Sequence, residues 1–420
     1  MGVYFMKKFR LTALIVLLCT VLMVSACSSK PSIDKYESNT IENAEEDNEE
    51  GSNKVVLDGV FSTFDVDEIS RLSGYKCRAV DHMPEEVLLK LLAEDSDVDI
   101  YFLPVDTVNK IKNMGLYYPI ESQIVKDFNN SCFDRMQDVA TNDNGDTVGM
   151  IVDSSIRALI YPAELEAETG VDIQGLTTLG KVLDFLQGYG GERVGYISDD
   201  LCFYYELLYQ YEKYFCDFEN KTFDYNTDLY KNIYTSTVLK WDENGKLDSF
   251  YGLVPIGYTG FSKTDFDVDK LFMADANFID VVDKSPEFVS KLRAIPLPKI
   301  NDDCKNCASA TYAVINPNSK NIKGAIKVLE TIAENRDEVG FYYGRYPMIY
   351  KDISSYSNGY MTDTEIFEDY YTIAANGDIS EYWFGTYQYR YDIDDYRAGK
   401  TTQDEAIAEY RRMIDIWLNE

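Results

Sequence analysis

His82 is the only histidine among 420 residues, so a catalytic triad, an H-E-x-x-H zinc site or any histidine-based acid catalysis would rest on it alone. It follows Asp81 and comes just before Pro84, where a surface or capping role is the plainer reading. No G-x-S-x-G elbow, Walker loop or Rossmann glycine fingerprint occurs in the chain. With 72 acidic residues some carboxylates must lie close together, so a pair suited to glycoside hydrolysis carries no information by itself. The chain therefore reads as a non-enzyme without a metal or cofactor, with a glycan-acting hydrolase or esterase as a minor alternative.

Eight cysteines are present. Cys19 lies in an apolar leader and Cys27 just after it, which leaves Cys77, Cys132, Cys202, Cys216, Cys304 and Cys307. An even count in an exported chain permits disulfides. Cys304-Lys305-Asn306-Cys307, in a polar loop after Pro296 and Pro298, is the most suggestive pair, and a small loop staple is expected there. Free thiols are the next reading. A lone C-x-x-C gives only two of the four ligands of structural zinc, and a thioredoxin-type site would open a helix after a strand.

Polar and aromatic residues are better placed for binding than for catalysis. Tyr, Phe and Trp number 34, 21 and 3, or 14% of the chain, more than a core of this size demands. Sugars present C–H faces to aromatic rings and hydroxyls to Asp, Asn and Arg, so this content favours a solute of that kind. Tyr258 lies in a glycine-bounded loop, Val254 to Gly260, that can bring a ring to a cleft.

The elements that must position such residues alternate. Val55 to Phe61 reads as a buried strand, Tyr75 to Val80 as a second and Val98 to Leu103 as a third. Between the last two, Pro84 to Glu94 reads as a helix with Leu88, Leu89, Leu91 and Leu92 on its apolar face. Strands alternating with helices predict a parallel α/β sheet, whose ligands sit beyond the carboxyl ends of the strands. That rule nominates Phe61, Ser62 and Asp106. After Ile151 come an apolar stretch, Ala158 to Tyr161, and a helix from Pro162 that ends at Gly170. Another helix, capped by Thr177 or Thr178, runs through Val182 to Leu186 and stops at Gly188. Aromatic helical stretches follow at Leu201 to Asp217 and Leu229 to Trp241. Strand-like text returns at Ala294 to Pro298 and Tyr312 to Asn316, before helices at Ile322 to Ala333 and Gln403 to Leu418. The last of these carries Ala406, Ile407, Tyr410, Met413, Ile414 and Trp417 on one face, which marks Trp417 as core.

The N-terminus addresses the chain outward. Lys7, Lys8 and Arg10 precede an apolar run from Leu11 to Val24, shorter than the roughly 20 residues a membrane span needs, so it reads as a secretory signal. Residues 28 to 54 are acidic and almost free of apolar side chains, and are expected to stay disordered. A flexible coil of this length separates its ends by roughly 30 Å. Losing Lys7, Lys8 and Arg10 with the signal takes the formal charge from −32 to −35. Such a chain lacks the basic footprint that nucleic acid requires. Its charge suits a soluble surface at a cell exterior, with steering of cationic solutes as the sharper alternative.

Val24-Ser25-Ala26-Cys27 resembles the lipobox of bacterial lipoproteins, which implies acylation of Cys27. Further along, several segments together resemble the extracellular solute-binding proteins of ABC importers, of the carbohydrate type. They are Asp97 to Tyr101, Gly115 to Ile120, Leu159 to Gly170, Pro296 to Pro298, Tyr312 to Asn316 with Ser319 to Asn321, and Tyr396 to Lys400 through Glu420. The resemblance covers residues 55 to 420 and departs from the pattern at Leu179, where a tryptophan is usual, and in the Cys304 to Cys307 loop.

The resemblance implies an α/β fold of two lobes, each a mainly parallel sheet flanked by helices, joined by hinge crossovers around a cleft that closes on a small solute. It places a signal peptide at 1–26, the lipidated cysteine and tether at 27–54, lobe 1 at 55–152 plus 297–345, and lobe 2 at 153–296 plus 346–420. Asp153, Ser154 and Arg157 then fall at the first crossing, and Trp383 where the family often carries a stacking aromatic. It further implies ABC permease partners, a monomer, and a lipid anchor on the extracellular face of a Gram-positive cell membrane. A surface lipoprotein with a sensory or structural role and no transporter is the alternative.

Overall fold

The computed structural model describes residues 53–60, 63–197, 202–218, 220–238, 254–255, 268–282, 284–340, 348–356, 361–379 and 393–417. The signal, Cys27, the tether as far as Ser52, Phe61, Ser62, Tyr258 and Trp383 lie outside them, while Lys54, expected to end the tether, already begins the first strand. The chain opens with β1 (Lys54–Asp58), α1 (Val66–Ser73), β2 (Lys76–Val80), α2 (Pro84–Leu92), β3 (Ile100–Pro104) and α3 (Val105–Met114). Next come α4 (Gln123–Ser131), α5 (Asp134–Ala140), β4 (Gly149–Ser155), β5 (Arg157–Pro162), α6 (Leu165–Thr169), α7 (Leu179–Gly188) and β6 (Val194–Ile197). They lead to α8 (Cys202–Phe215), α9 (Asp228–Thr237), β7 (Val254–Pro255), β8 (Leu271–Asn277), α10 (Phe278–Val282), α11 (Pro286–Val289) and β9 (Leu292–Pro296). The chain closes with β10 (Cys307–Ile315), α12 (Ile322–Glu334), α13 (Arg336–Val339), α14 (Glu365–Asn376), β11 (Asp378–Ile379) and α15 (Gln403–Trp417).

Two sheets result. The first has the order β11-β10-β3-β1-β2, with β4 also on β10; the second has the order β7-β6-β8-β5-β9. The parallel character expected from the alternating pattern is carried by β2-β1-β3 and by β7-β6-β8. The strands that begin at the passages between sheets run the other way. β10 is antiparallel to β3 and β4, and β5 is antiparallel to β8 and β9. A strand arriving directly from the other sheet starts at the edge where its neighbours end, so it must run against them. Met348 to Lys351 and β11 belong with the first sheet: Phe133 N–H donates to Ile349 O at 2.8 Å, and β11 lies beside β10.

Local chemistry accounts for the element ends. Asp65 caps α1 by accepting from the Asp67 and Glu68 amides, and α6 ends at Gly170, as its sequence suggests, with φ 68° in the left-handed region. Thr178 occupies the N-cap position of α7 with an extended backbone but makes no side-chain cap bond. Gly59, φ 77°, turns the chain after β1, where an added Cβ would meet Phe102 O at 2.8 Å. On α2 the apolar face is narrower than expected. Val87 and Leu91 are buried, whereas Leu89 and Leu92 are 67% and 51% exposed, because only one side of the helix meets the sheet.

The aromatic excess has a structural destination. Around α8, α9 and α15 a core is built from Tyr204, Tyr211, Tyr225, Tyr230, Tyr234, Tyr396 and Tyr410. Their hydroxyls find partners inside: Tyr204 and Tyr230 lie 2.6 Å apart, Tyr211 donates to Asp224 O at 2.6 Å, and Tyr225 and Tyr410 donate to Glu212. Much of the tyrosine content thus fills a lobe interior, and composition alone was no measure of a ligand surface. Ala406, Ile407, Tyr410 and Ile414 form the buried face of α15, as their spacing predicts. No helix among the described residues is long and apolar enough to cross a membrane.

Candidate ligand cleft at the strand ends

The two sheets turn the same kind of edge toward the passages between them. In the first, Pro104 at the end of β3 and Asp153 near the end of β4 both align with Thr311 of β10, one register row across three strands. In the second, Arg157 at the start of β5 aligns with Asn277 at the end of β8, and Ala158 with Pro296 at the end of β9. β6 and β7 end side by side at Ile197 and Pro255. The carboxyl ends of β1, β3, β4, β6, β7, β8 and β9 therefore gather where the chain passes between sheets, at Ser155 to Arg157 and at Leu297 to Asn306. Ser155 Oγ donates to Asn277 Oδ1 at 3.0 Å and ties the end of β4 to the end of β8.

The nominated residues fall on this edge in different roles. Asp106 does not sit in a loop: β3 runs straight into α3, and Asp106 occupies the first helical turn, half-buried, where the helix dipole favours a carboxylate. Asp153 is half-buried and its carboxyl is pushed up to about 6 by burial, partly offset by the charge of Arg336 and a bond from the Ser154 backbone. Ser154 is buried, and its hydroxyl has no hydrogen-bond partner among the described residues. Arg157 is held in an ion pair by Asp275, whose side chain is wholly buried. Phe61, Ser62, Tyr258 and Trp383 follow closely on β1, β7 and β11 in sequence but lie outside the described residues.

Three features of this edge were not singled out from the sequence. Arg336, on α13, is buried with its guanidinium over the rings of Phe64 at 5.3 Å and Phe128 at 5.6 Å, and it donates to Val152 O. Asp58, at the end of β1, is buried and accepts the His82 amide at 2.9 Å, with His82 Nδ1 2.8 Å from its other oxygen. The sole histidine thus fastens β2 to β1. Glu206, on α8, is buried beside the second passage. A charged residue inside an apolar helical stretch is the signal that would have found Glu206. No comparable signal marks Arg336.

The expected staple between Cys304 and Cys307 is not formed; both are free, buried thiols. Cys304 is held in a turn by Asn301 and Cys307 is the first residue of β10, so backbone bonds secure the loop instead. Burial raises both thiols above their ordinary range, which keeps them protonated and unreactive. A surface cleft of about 900 Å³ lies elsewhere, on the second sheet's helices, lined by Phe185, Tyr189, Glu168, Asp184, Arg193 and Asp269 among others, and it includes none of the nominated residues. Arg193 there is bracketed by Glu164 and Glu168.

No known sequence family and no curated protein sequence matches the chain. Solved structures do. The cyclic alpha-maltosyl-1,6-maltose binding protein of Arthrobacter globiformis is 16% identical with a TM-score of 0.56, covering 88% of this chain and 99% of its own. An ABC transporter solute-binding protein of Agrobacterium vitis with bound D-mannitol is 12% identical with a TM-score of 0.61, covering 87% and 98%. The fold is that of the two-lobe solute-binding proteins. A third such structure, an ABC substrate-binding protein of Listeria monocytogenes in complex with cycloalternan, is 13% identical with a TM-score of 0.59, covering 87% and 99%. These three structures, matched over almost their full length, are binding proteins rather than enzymes. In their terms the two sheets are the cores of the lobes, and the passages at Ser155 to Arg157 and Leu297 to Asn306 are crossings between them.

Proposed function

We propose that this chain is the solute-binding component of an ABC importer and that its solute is a sugar or oligosaccharide. One observation supports this above the others: the carboxyl ends of the strands of both lobes converge on the crossings, the place where an open α/β sheet receives a ligand. The neighbours in fold are a cyclic alpha-maltosyl-1,6-maltose binding protein, a solute-binding protein with bound D-mannitol and another in complex with cycloalternan. Open and closed lobe arrangements exchange, and a solute that touches both lobes stabilises the closed one, which the permease then receives. The chain binds and does not catalyse. Cys27 carries the lipid, the acidic stretch to residue 54 is the tether, and the protein works as a monomer on the outer face of the membrane. In this reading the lobes follow the sheets: lobe 1 extends the expected 55–152 and 297–345 to take all of β4 through Ser155, Met348 to Lys351 and β11, and lobe 2 is the remainder of the folded body. Asp153 and Asp106 stand at the cleft from lobe 1; Phe61, Ser62, Tyr258 and Trp383 are the further candidate ligand contacts that the sequence nominates.

The test is a thermal-shift panel of maltose, maltotetraose, D-mannitol, cycloalternan, amino acids, peptides and polyamines, followed by small-angle scattering on each hit. Saturation at a hundred times Kd stabilises the folded state by about 2.7 kcal/mol, so a sugar in the panel raises the midpoint and compacts the particle. A flat panel with unchanged scattering overturns the proposal, and a hit confined to polyamines or peptides overturns the sugar assignment.

A further inference from the structure

Helix α8 has two faces of opposite character. Tyr204, Leu207, Leu208 and Tyr211 enter the tyrosine-rich core, and Phe203 packs into the core of the second sheet, which fixes the helix to that lobe. The other face carries Glu206, Gln210, Lys213 and Tyr214: Glu206, Gln210 and Tyr214 grip the second crossing, and Lys213 grips β11 beside it. Glu206 Oε1 accepts from the Cys307 amide at 3.0 Å, from Asn306 Nδ2 at 3.1 Å and from Gln210 Nε2 at 2.7 Å. Gln210 accepts the Ile300 amide at 3.0 Å and donates to Pro298 O at 3.4 Å, so the two side chains hold the second crossing near both of its ends. Lys213 donates to Ile379 O at 3.2 Å and pairs with Asp378 at 3.1 Å, while Tyr214 Oη accepts the Lys305 amide at 3.2 Å. Asp378 N–H donates to Asn306 O at 2.7 Å, which joins the two gripped segments to each other.

We propose that Glu206 and Gln210 form a proton-sensitive clamp that fastens the second crossing to the second lobe, so that the freedom of the hinge depends on pH in the neutral range. This inference rests on the reading of the chain as a two-lobe protein that opens and closes. Burial pushes the Glu206 carboxyl up to about 7, against the three bonds it accepts, which act the other way. The ionisable groups coupled to it are Cys307 from the crossing and Tyr209 on its own helix, while Lys213 on its own helix, Asp378 from β11 and Cys304 from the crossing act on Cys307. Cys307 and Tyr209 are raised away from neutrality, and Lys213 and Asp378 are paired with each other. Opening the clamp returns Glu206 to water, where its ordinary value is 4.5. The fastened state therefore holds the proton more tightly, is firmest in acid, and loosens as pH rises through about 7. Between pH 6 and pH 8 the opening equilibrium increases about tenfold.

Hydrogen–deuterium exchange on the ligand-free folded chain reads this directly, with protection factors for peptides covering Pro298 to Ala308 corrected for intrinsic exchange. A fall of about tenfold from pH 6 to pH 8 is expected in the wild type, a change within twofold in Glu206→Gln, and the wild-type fall again in Glu212→Gln, whose carboxyl lies on the core side of the same helix. The same fall in Glu206→Gln, or none in the wild type, overturns the clamp. A chain that shows the fall but binds none of the sugars above refutes the solute reading alone, because no solute takes part in the exchange measurement.

Discussion

Replacing Glu212 by glutamine should shift stability in the variant's favour, relative to the wild type, as pH rises. Glu212 is 2% exposed, accepts hydroxyls from Tyr225 at 3.1 Å and Tyr410 at 2.6 Å, and joins α8 to α15 in the tyrosine core. Burial pushes its carboxyl up to about 8, only partly opposed by the two tyrosine bonds. Because the folded value lies above the ordinary 4.5, the stability tied to this group is fully present below pH 4.5 and is lost as pH rises through 8. At about 1.4 kcal/mol per pH unit, the wild type loses roughly 3.5 kcal/mol from this site between pH 5 and pH 8. Glutamine keeps the accepting oxygen and cannot ionise, although its two N–H donors must be accommodated at a cost of about 1–3 kcal/mol at every pH. The difference in unfolding free energy between variant and wild type should therefore move by about 3 kcal/mol in the variant's favour from pH 5 to pH 8. Over a body of this size that is a relative shift of about 4 °C in Tm, resolvable by urea titration or calorimetry at each pH. A difference that stays constant across the range would show that the carboxyl does not carry its proton inside the fold, and the argument from burial would be wrong.

Removing Arg157 leaves Asp275 buried without its ion partner, so Arg157→Ala should cost about 3 kcal/mol by urea unfolding; a loss under 1 kcal/mol would mean the pair contributes nothing to the crossing. On α2, Leu91→Ala should cost about 2–4 kcal/mol and Leu89→Ala less than about 0.5, since one side chain is buried and the other exposed; equal losses would restore the broad apolar face that the sequence suggests. Among the described thiols of the native protein, a maleimide probe read by mass spectrometry should reach half-buried Cys77 well before Cys132, Cys304 or Cys307. Early modification of Cys307 would contradict its burial at the head of β10.

The two-lobe α/β fold was legible because its elements are written in short windows. Asp65 before α1, Gly170 after α6 and the spacing of Ala406, Ile407, Tyr410 and Ile414 each act within a turn or two of chain. The strand-end rule placed Asp106 two residues past Pro104 at the end of β3, and the resemblance placed Asp153 near the end of β4; Pro104 and Asp153 share the register row of Thr311. The rule misplaced Asp106 only in detail, since a strand can pass into a helix without a loop. The tyrosine count misled because composition records how many rings exist and not which way they face.

Local periodicity, capping and charge thus belong to the sequence alone: alternating strands and helices, a polar N-terminal stretch unable to form a core, and a lack of catalytic motifs. Tertiary structure decided the rest. Glu206 lies about a hundred residues from the Cys307 amide it accepts, and Asp153 more than 180 from the guanidinium of Arg336 that acts on it. No window of sequence contains such pairs. Their energy comes from removing charge from water, and that happens only when distant segments close over it.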